Sequence, residues 1–344
     1  MKTGFSVWFE ENGRYVLGEK EAKIMEGIKR YGSFMATSKS LGITYAHAWN
    51  VIDELSKGIG RQVVKAKRGG DAGGGTALTE EGEKLLEEYL SVQDKVSRLL
   101  GSHRELRIAE FKKPDLSIIG SSCPGVKILA GLIDFSSEVV EVGSTVGLAA
   151  LMLGEADLSG IHLFDEASGT FNLPFIMRDW PGGSAVLIRG YRREQGLMLK
   201  KGNPKAIKGL DDLGRKQVRL VNRNAGSGTR ELLDRLLRQL NITPKGVRGY
   251  DFEVKTHEEV AKAIEEDRAD LGIGLRATAS IFNLEFVKLC DEFFDFAIEK
   301  RRLSKPPVRA FIEALKSQEF DAELKKRAPG IYVLPDTGSI IMGS

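Results

Sequence analysis

The stretch Val221–Asp234, VNRNAGSGTRELLD, decides how the second half of the chain is interpreted. A short β-rich run, Val218–Val221, leads into a Gly/Ser/Thr turn, and an amphipathic helix with a leucine face follows directly. The first turn of a helix has free backbone N–H groups and the positive end of the helix dipole, so it can hold an anion. The sequence therefore predicts an anion-binding turn. The alternative is an N-cap turn that binds nothing, because GSGT lacks the lysine of a Walker motif.

The same strand–turn–helix pattern occurs earlier in the chain. A buried strand, Leu116–Gly120, precedes a Ser-Ser-Cys turn at 121–123, and a second, Val139–Val142, precedes a Gly-Ser-Thr turn at 143–145. Ala156–His162 reads as a third strand. Repeated units of this kind indicate a parallel sheet, with ligands at the carboxyl ends of its strands. We therefore expect three helix N-termini to converge on one ligand.

These turns supply the predicted ligand-binding residues. Backbone N–H groups and hydroxyls can hold a small anion or a polar anionic molecule. The predicted set is Ser121, Ser122, Ser144, Thr145, His162, Arg223, Gly226, Ser227, Gly228, Thr229 and Arg230. For the two arginines, a structural ion pair is an equal alternative. For His162, and for His257 near the same cleft, a structural hydrogen bond is the alternative.

The remainder of the second half predicts a two-lobed arrangement. Ala185–Leu199 reads as an extended crossing into a second lobe at about 200–276. Phe286–Leu289 and Phe293–Ile298 read as two strands that return to the first lobe. A helix at Val308–Ser317 and a polar tail to Ser344 are expected to follow.

The first half of the chain predicts a helix-turn-helix. An alternating run around Asn12-Gly13 indicates a β-hairpin, and helices are expected at Gly18–Tyr31 and, capped by Ser33, at Phe34–Leu41. Thr44 caps a third helix that ends at Lys57. A helix, a short glycine turn and a second helix form the layout whose second helix enters the major groove of DNA.

A basic hairpin follows the third helix. A strand, Gln62–Ala66, leads to a Gly-rich tip at 69–75 and a return strand, Thr76–Leu78, so the order is that of a winged helix-turn-helix. Basic flanks on such a wing suit phosphate binding, whereas a solvated face is the alternative. The predicted base contacts are Tyr45, His47 and Asn50, and the predicted phosphate contacts are Lys57, Arg61, Lys65, Lys67 and Arg68. Trp49 is interpreted as a core residue.

A long helix from Thr79 to about Leu100 links the two halves. Leu85, Tyr89, Val92, Val96 and Leu99 are spaced by four, three, four and three residues, which is typical of a coiled-coil seam. We expect this seam to form a homodimer or a higher oligomer, because helix-turn-helix proteins that bind two-fold symmetric DNA sites do so as dimers. The alternative is that the seam packs on its own domain.

Length and composition set the overall frame. The 344 residues exceed one typical core, so several domains are expected. The fold class is multidomain: a mostly α winged helix-turn-helix with a β wing at 1–78, a dimerisation or linker helix at 79–114 and a two-lobed α/β ligand-sensing domain at 115–344. The net charge of +3 is too small to argue for nucleic-acid binding by itself.

The same survey excludes several classes of protein. No apolar run reaches about 18 residues, and Met1–Glu11 has no signal-peptide core, so we expect a cytoplasmic protein with no membrane contact. Cys123 and Cys290 lack metal-ligand spacing, so no metal or cofactor is expected. No Gly-x-Ser-x-Gly elbow occurs. An enzyme acting on a small anion is therefore the less favoured alternative to a binding protein.

Both halves carry family resemblances. Residues 18–100 carry three stretches that are typical of one family: Gly32-Ser33, Ile43–Trp49 (ITYAHAW) and the end of the wing, ALTEEG at 77–82. On these stretches, the first half resembles the DNA-binding half of ModE-type molybdate-responsive regulators. Residues 115–300 resemble a type-2 periplasmic-binding-protein-like sensor domain. The stretches that carry this second resemblance are REQGL at 193–197, GNP at 202–204, Asn222-Arg223, GSGTR at 226–230, Gly249-Tyr250, Thr256-His257 and DRAD at 267–270.

The resemblances imply a transcription factor that senses molybdate or tungstate and controls molybdenum or tungsten uptake or cofactor genes. One departure matters, because ModE proteins sense oxyanion in small β-barrel modules with a Ser-Ala-Arg-Asn signature, and no such run occurs here. The residues alone indicate only a small anion. The molybdenum cofactor or another organic anion is therefore the alternative effector.

Overall fold

The computed structural model describes residues 5–11, 13–67, 75–100, 114–225 and 227–341. Several predictions fall outside these ranges. They are Asn12 of the first turn, Arg68, the tip of the basic hairpin at 69–74, the linker after the long helix, and Gly226 of the GSGT turn.

The N-terminal region consists of two hairpins and four helices. Its elements are β1 (Phe9–Glu11), β2 (Arg14–Leu17), α1 (Glu19–Tyr31), α2 (Phe34–Leu41), α3 (Tyr45–Gly58), β3 (Val64–Lys67), β4 (Gly75–Leu78) and α4 (Glu80–Leu100). Strands β1 and β2 pair antiparallel, as do β3 and β4. Each predicted helix of this region and the strands of the basic hairpin lie within about two residues of their expected bounds, whereas β1 begins four residues after Phe5, where the alternating run starts.

Side-chain caps explain where these helices begin. The hydroxyl of Ser33 accepts a hydrogen bond from the Ala36 amide at 3.2 Å, and the hydroxyl of Thr44 accepts one from the His47 amide at 3.2 Å. A Ser or Thr oxygen satisfies one of the free N–H groups of a first helical turn and so fixes the helix start. The predicted caps of α2 and α3 are confirmed.

Helix α4 is divided between two environments. Tyr89 is fully buried against Phe9, with the ring centroids 5.7 Å apart, whereas Val92 is exposed and Leu99 is 86% exposed. The predicted seam therefore does not face one partner along its length. Its first half packs on the chain's own core, which is the alternative stated above, and its second half presents apolar side chains to solvent.

The C-terminal region alternates strands and helices. Its strands are β5 (Leu116–Gly120), β6 (Ser137–Glu141), β7 (Ser159–Ile161), β8 (Phe164–Asp165), β9 (Thr170–Phe171), β10 (Ala185–Leu199), β11 (Leu220–Arg223), β12 (Glu253–Val254), β13 (Leu271–Leu275), β14 (Glu285–Glu299), β15 (Ile331–Val333) and β16 (Ile340–Ile341). Its α-helices are α5 (Pro124–Gly131), α6 (Ser144–Met152), α7 (Leu173–Asp179), α8 (Gly228–Gln239), α9 (His257–Glu265), α10 (Arg276–Ile281), α11 (Pro306–Lys316) and α12 (Gln318–Arg327). Short 3-10 helices lie at Leu210–Gly214, Pro244–Gly246 and Lys300–Arg302.

The main sheet is mixed rather than parallel. Its order is β12-β11-β13-β10-β14-β7, with β15 and β16 also paired to β10. The pairs β11/β12, β11/β13 and β5/β6 are parallel, as the strand–turn–helix pattern predicts. The long strands β10 and β14 run antiparallel to each other and to their other neighbours.

Strand β10 joins two cores. Val186 and Ile188, in its first half, pack with β5, α5 and α11, and we call this region the first lobe. Leu197 and Leu199, in its second half, pack with β13 and the leucine face of α8, and we call this region the second lobe. The ligand site is therefore expected where β10 and β14 pass from one lobe to the other.

Two details of the C-terminal region correct the sequence analysis. The two strands predicted at Phe286–Leu289 and Phe293–Ile298 form one continuous strand, because residues 290–292 keep their pairing with β10. The polar tail to Ser344 is also wrong, since α12, β15 and β16 lie there and Phe320, Leu324 and Ile331 are buried in the first lobe. Within the described ranges, no helix is both long and apolar enough to cross a membrane.

Candidate functional site

Two predicted turns and the end of a predicted strand meet at the start of helix α6. Ser121, directly after β5, and Ser144, the first residue of α6, are both buried, and their hydroxyl oxygens lie 2.8 Å apart. The backbone N–H of His162, which follows β7, donates to the Ser144 hydroxyl at 3.1 Å. The carboxyl ends of β5 and β7 and the N-terminus of α6 therefore form one corner of the first lobe, as the sequence predicts.

The turn before α8, in the second lobe, contacts this corner through Gly228. A side-chain Cβ placed on Gly228, the first residue of α8, would lie 3.0 Å from Cε1 of His162. That separation is shorter than normal van der Waals contact, so glycine at this position allows the helix start to approach the first lobe. Ser227 caps α8 by accepting from the Arg230 amide at 3.3 Å. The N-termini of α6 and α8 therefore face one crevice from opposite lobes.

A buried ion pair forms the floor of this crevice. Arg193 on β10 lies directly opposite Glu292 on β14, and its Nε donates to Glu292 Oε1. Gln195 Nε2 donates to the other oxygen, Oε2, and His162 Nδ1 lies 3.3 Å from that same atom. Burial opposes ionisation of Glu292, but Arg193 and His162 outweigh it and lower the pKa of this carboxyl to about 2. Glu292 is therefore an anion that accepts hydrogen bonds from Arg193 and Gln195.

Several buried side-chain atoms around the floor have no hydrogen-bond partner among the described residues. They are Nη2 of Arg193, Nε of Arg223, Nδ1 of His162, Nδ1 of His257 and Oε1 of Gln195. Buried polar groups are normally hydrogen-bonded, and each unsatisfied one costs about 1–3 kcal/mol. The two guanidinium N–H groups in this set are donors that a bound anion could satisfy.

The electrostatics of the cluster favour an anion. Burial lowers the pKa of Arg223 to about 10, and the nearby positive charge of Arg193 acts in the same direction. Burial, together with Arg223 and Arg193, also holds the pKa of His257 well below its usual value, and the pKa of His162 is lowered for the same reasons. At neutral pH the cluster therefore contains two arginine cations and two neutral imidazoles, with the carboxylate of Glu292 beside Arg193 and that of Glu258 near Arg223.

An open cavity lies beside the floor, and His162, Gly228 and Glu292 are among the residues that line it. Phe164 and Phe171 also line it, with their ring centroids 5.0 Å apart, and the guanidinium of Arg235 lies 4.1 Å from the Phe164 ring centroid. The lining is therefore both aromatic and charged, and it includes the carboxylates of Glu166 and Glu231.

The remaining predicted ligand residues lie differently. Ser122 directs its hydroxyl to Glu141 at 2.8 Å, Thr145 is exposed, and Thr229 is buried under the first turn of α8. Arg230 pairs with Asp234 at 3.1 Å and Glu253 at 2.6 Å, which is the structural alternative stated for it. A ligand role for Arg230 is therefore not supported, because its charge is already compensated.

Sequence reasoning missed the floor of the site. Arg193, Gln195 and Glu292 were not among the predicted ligand residues, and His257 was given a structural role as the favoured alternative. A signal for the first two exists, because charged and polar residues interrupt the otherwise apolar β10 in the stretch RREQG at 192–196. For Glu292 no local signal exists, since its importance comes from its register opposite Arg193.

The predicted DNA-binding residues form a second candidate surface. His47, Asn50, Lys57, Arg61, Lys65 and Lys67 are all exposed. The prediction that Tyr45 reaches outward is wrong, since Tyr45 is 4% exposed and its ring packs 6.0 Å from that of Phe34. Tyr45 shares a helix face with the buried Ala48, Ile52 and Leu55, so the 3.6-residue period of α3 turns it into the core.

No cation site accompanies these surfaces. Within the part of the chain that the structure describes, no three His, Cys, Asp or Glu side chains come together as metal ligands. Both cysteines are free; Cys123 is buried and Cys290 is half-buried beside the cavity.

Comparison with known proteins gives one family match. Residues 131–316 match the family model described as the PBP superfamily domain. The uncharacterized protein YvgK of Bacillus subtilis (strain 168) is 36% identical over 182 residues, which is 53% of this chain and 58% of that protein.

Two further relatives are similar over shorter stretches. The molybdenum-pterin-binding protein MopB of Rhodobacter capsulatus is 35% identical over 86 residues, 25% of this chain and 32% of that protein. The transcriptional regulator ModE of Haemophilus influenzae is 33% identical over 70 residues, 20% of this chain and 28% of that protein. The chain spans less than two thirds of the length of each of these three relatives.

Proposed function

The chain belongs to the PBP superfamily, and from that premise we propose that it is a DNA-binding transcriptional regulator that senses molybdate or tungstate between its two lobes. The effector is held without a metal or organic cofactor. The regulator acts in the cytoplasm, where its operator DNA lies, and it controls genes of molybdenum or tungsten uptake or cofactor synthesis. It catalyses no reaction.

The observation that carries the proposal is the buried cluster of arginine and histidine side chains at the crossing of β10 and β14. Guanidinium N–H groups of Arg193 and Arg223 have no partner there among the described residues, and Nδ1 of His257 is unpartnered as well. A tetrahedral dianion supplies the missing acceptors, and the starts of α6 and α8 add helix dipoles and the Ser144 hydroxyl. Charge-assisted hydrogen bonds to such donors are shorter and stronger than neutral ones.

Anion binding favours closure of the two lobes. The crevice has residues of the first lobe, such as Ser144 and His162, on one side and Gly228 and Arg223 of the second lobe on the other. An anion that bridges both sides binds the closed form more tightly than the open form, so it shifts the population toward closure. A coupling of about 1–3 kcal/mol would change operator affinity by about 5- to 150-fold.

The DNA-binding half of the proposal rests on the N-terminal region as a winged helix-turn-helix. Helix α3 follows α2 after a short turn and exposes His47 and Asn50, and the adjacent β3 exposes Lys65 and Lys67. An exposed helix flanked by a basic hairpin suits base contacts in the major groove and phosphate contacts beside it. The similarity to a protein described as the transcriptional regulator ModE supports the same function.

Two-fold operator binding requires a dimer, which we assign to the second half of α4. Val92 and Leu99 project apolar side chains to solvent there, although one face of the same helix is buried earlier at Leu86 and Tyr89. Burying such side chains against the same helix of a second copy removes apolar surface from water, at about 25 cal/mol per Å². The two α3 helices would then be held at a fixed separation.

A second effector class has one observation in its favour. Phe164 and Phe171 line the cavity beside the anion cluster. Aromatic side chains of this kind suit a flat ring, so an organic anion such as the molybdenum cofactor could place its ring there and its negative group on the cluster. The similarity to a protein described as molybdenum-pterin-binding agrees with this alternative.

Calorimetric titration of the full chain separates these possibilities. Molybdate and tungstate are titrated alongside sulfate and phosphate, and ligand released from the natively purified protein is identified by mass spectrometry. We expect heat with molybdate or tungstate and at least tenfold weaker binding of sulfate. An organic anion in the released fraction, with no heat from either oxyanion, supports the second class. Absence of both removes the sensing function.

DNA binding is tested separately by selecting duplexes from a random pool with the full chain. We expect enrichment of a two-fold symmetric sequence, and binding that weakens steeply as salt rises. No enrichment, together with no salt dependence of binding, would remove the DNA-binding function and leave the anion site unaffected.

A further inference from the structure

Glu155 connects the sensor region to the N-terminal region through buried hydrogen bonds. Its Oε2 accepts from the Ser33 hydroxyl at 2.7 Å and its Oε1 accepts from the Phe34 amide at 2.9 Å. The hydroxyl of Thr76 donates to the same Oε1. Glu155 is 7% exposed, and it lies more than 70 residues from each of these partners in sequence. A single carboxylate of the first lobe thus binds three groups of the N-terminal region.

The partners of Glu155 occupy positions that set the geometry of the DNA-binding surface. Ser33 and Phe34 form the start of α2, the helix that precedes α3. Thr76 lies on β4, the return strand of the basic hairpin, and its amide donates to the Gly32 carbonyl at 2.8 Å. The carboxylate therefore satisfies free donors of the α2 N-terminus and ties them to the base of the hairpin.

On the sensor side, Glu155 is fixed to the end of α6. Its backbone N–H donates to the Ala150 carbonyl at 2.9 Å, and the carbonyl of the preceding residue, Gly154, accepts from Arg302 at 2.8 Å. Nine residues of α6 separate the effector crevice at Ser144 from this end, a length of about 13 Å. A short helix moves as a rigid rod, so a shift of Ser144 is carried to Glu155.

A second contact between the two regions has a different character. Lys39 on α2 pairs with Glu138 on β6 at 2.6 Å, and the lysine is half exposed. Exposed ion pairs of this kind contribute little, because water and salt screen them. This pair serves as a matched control, since it joins the same two regions and also involves a carboxylate of the first lobe.

We infer that Glu155 is the positioning residue that holds the N-terminal region on the first lobe and relays the state of the effector crevice, through α6, to α2 and the basic hairpin. The relay rests on the proposed function, whereas the docking contact does not. Removing the carboxylate breaks the polar link between the start of α2 and the end of α6, while the buried apolar cluster that both regions share keeps them folded and packed. The effector still binds, but it no longer changes the affinity for DNA.

The chemistry of the contact determines which variants are informative. Burial raises the pKa of Glu155, while its hydrogen bonds from Thr76, Ser33 and Phe34 act in the opposite direction. Glu155→Gln keeps one oxygen acceptor and the size of the side chain, so it should retain part of the docking. Glu155→Ala removes every acceptor, and Glu138→Gln removes only the exposed pair.

Hydrogen–deuterium exchange of the full chain tests the docking without any ligand. We expect the peptide that contains Phe34 to exchange at least tenfold faster in Glu155→Ala than in the wild type, with an intermediate rate in Glu155→Gln and an unchanged rate in Glu138→Gln. Circular dichroism verifies that all variants remain folded. Unchanged exchange at Phe34 in folded Glu155→Ala overturns the inference, whether or not an oxyanion binds.

The relay is tested with molybdate and tungstate as probes and with the DNA selected by the wild type. In Glu155→Ala we expect calorimetric affinity for the oxyanion within threefold of the wild type, but an effect of the oxyanion on DNA affinity of less than twofold. A full oxyanion effect on DNA binding in Glu155→Ala overturns the relay. If neither oxyanion binds the wild type, the proposed function fails while the exchange result at Phe34 still decides whether Glu155 positions the two regions.

Discussion

The hydroxyl oxygens of Ser121 and Ser144 lie 2.8 Å apart, although the two serines follow different strands. The Ser144 hydroxyl also accepts the His162 N–H, so one side chain ties together three segments of the first lobe. Arg223 and Gly228 bring the second lobe to the same place, where a buried donor of Arg223 has no protein partner among the described residues. The proposed sensing function therefore requires that an anion bind at this junction of the two lobes.

Arg223 and Arg230 are expected to respond differently to substitution. Arg223→Gln should weaken oxyanion binding by about 10- to 100-fold, since a hydrogen bond to a charged group contributes about 1.5–3 kcal/mol. Arg230→Gln breaks pairs with Asp234 and Glu253 and should instead lower the free energy of unfolding by about 1–2 kcal/mol. Calorimetry and thermal unfolding of both variants give the comparison. Equal losses of oxyanion affinity in the two variants would contradict the assignment of Arg223.

Stability without an oxyanion should fall on acidification below about pH 6.5. The pKa of His257 is well below its usual value in the folded state, so the unfolded chain binds the proton first. The contribution of this residue is complete above its unfolded pKa and is lost as the pH falls toward its folded pKa. Arg193 and Arg223 oppose protonation, whereas Glu292 favours it.

Urea unfolding at pH 7.5, 6.5 and 5.5 measures this dependence. His257→Gln should reduce the loss of stability between pH 6.5 and 5.5. Bound oxyanion should also reduce this loss of stability, because its negative charge raises the pKa of the neighbouring imidazoles in the folded state. Binding of the oxyanion is then accompanied by proton uptake at low pH. Identical pH slopes for the wild type and His257→Gln would show that this histidine does not carry the effect.

Helix α3 offers a paired test of the DNA surface. His47→Ala should weaken binding to selected DNA, because His47 is exposed at the start of the helix. Tyr45→Phe should leave DNA affinity unchanged within twofold, since Tyr45 is buried against Phe34 and its hydroxyl has no partner among the described residues. Fluorescence anisotropy with the selected duplex provides both affinities. A larger loss in Tyr45→Phe than in His47→Ala would reverse the assignment.

These residues illustrate how far the sequence predicts the structure. Local signals succeed wherever a residue acts on its own segment, as with the caps Ser33 and Thr44 and the turns at Ser121 and Ser144. Tyr45 was misplaced although Trp49, Ile52 and Leu55 mark the buried side of α3, because the position seven residues before Ile52 lies on that same side. Trp49 lies at the edge of this side, where it is only partly buried.

The floor of the site shows what local patterns cannot supply. Arg193 and Glu292 are 99 residues apart, and they meet only because β10 and β14 pair in one register. The contact of Glu155 with Ser33 likewise joins two regions that the sequence analysis treated as separate domains. Long-range register and domain docking depend on the packing of the whole chain, so neither follows from residue spacing.

The exposed half of α4 should form the dimer. Leu99→Glu places a charge on the apolar surface and should convert a dimer into a folded monomer in sedimentation velocity experiments. Met177→Glu is the matched control, because Met177 is also an exposed apolar residue but lies on α7 of the first lobe. A monomeric wild type, or a Leu99→Glu variant that remains dimeric, would contradict the role of α4.

The most direct measurement is anomalous diffraction at the tungsten L edge from crystals of the full chain grown with tungstate. The account predicts one strong peak in the crevice, within hydrogen-bond distance of Arg223 and Arg193 and close to the Ser144 end of α6. Crystals of Arg223→Gln grown in the same way should lose most of this peak. A tungsten peak elsewhere on the protein, or an empty crevice at saturating tungstate, would contradict the account.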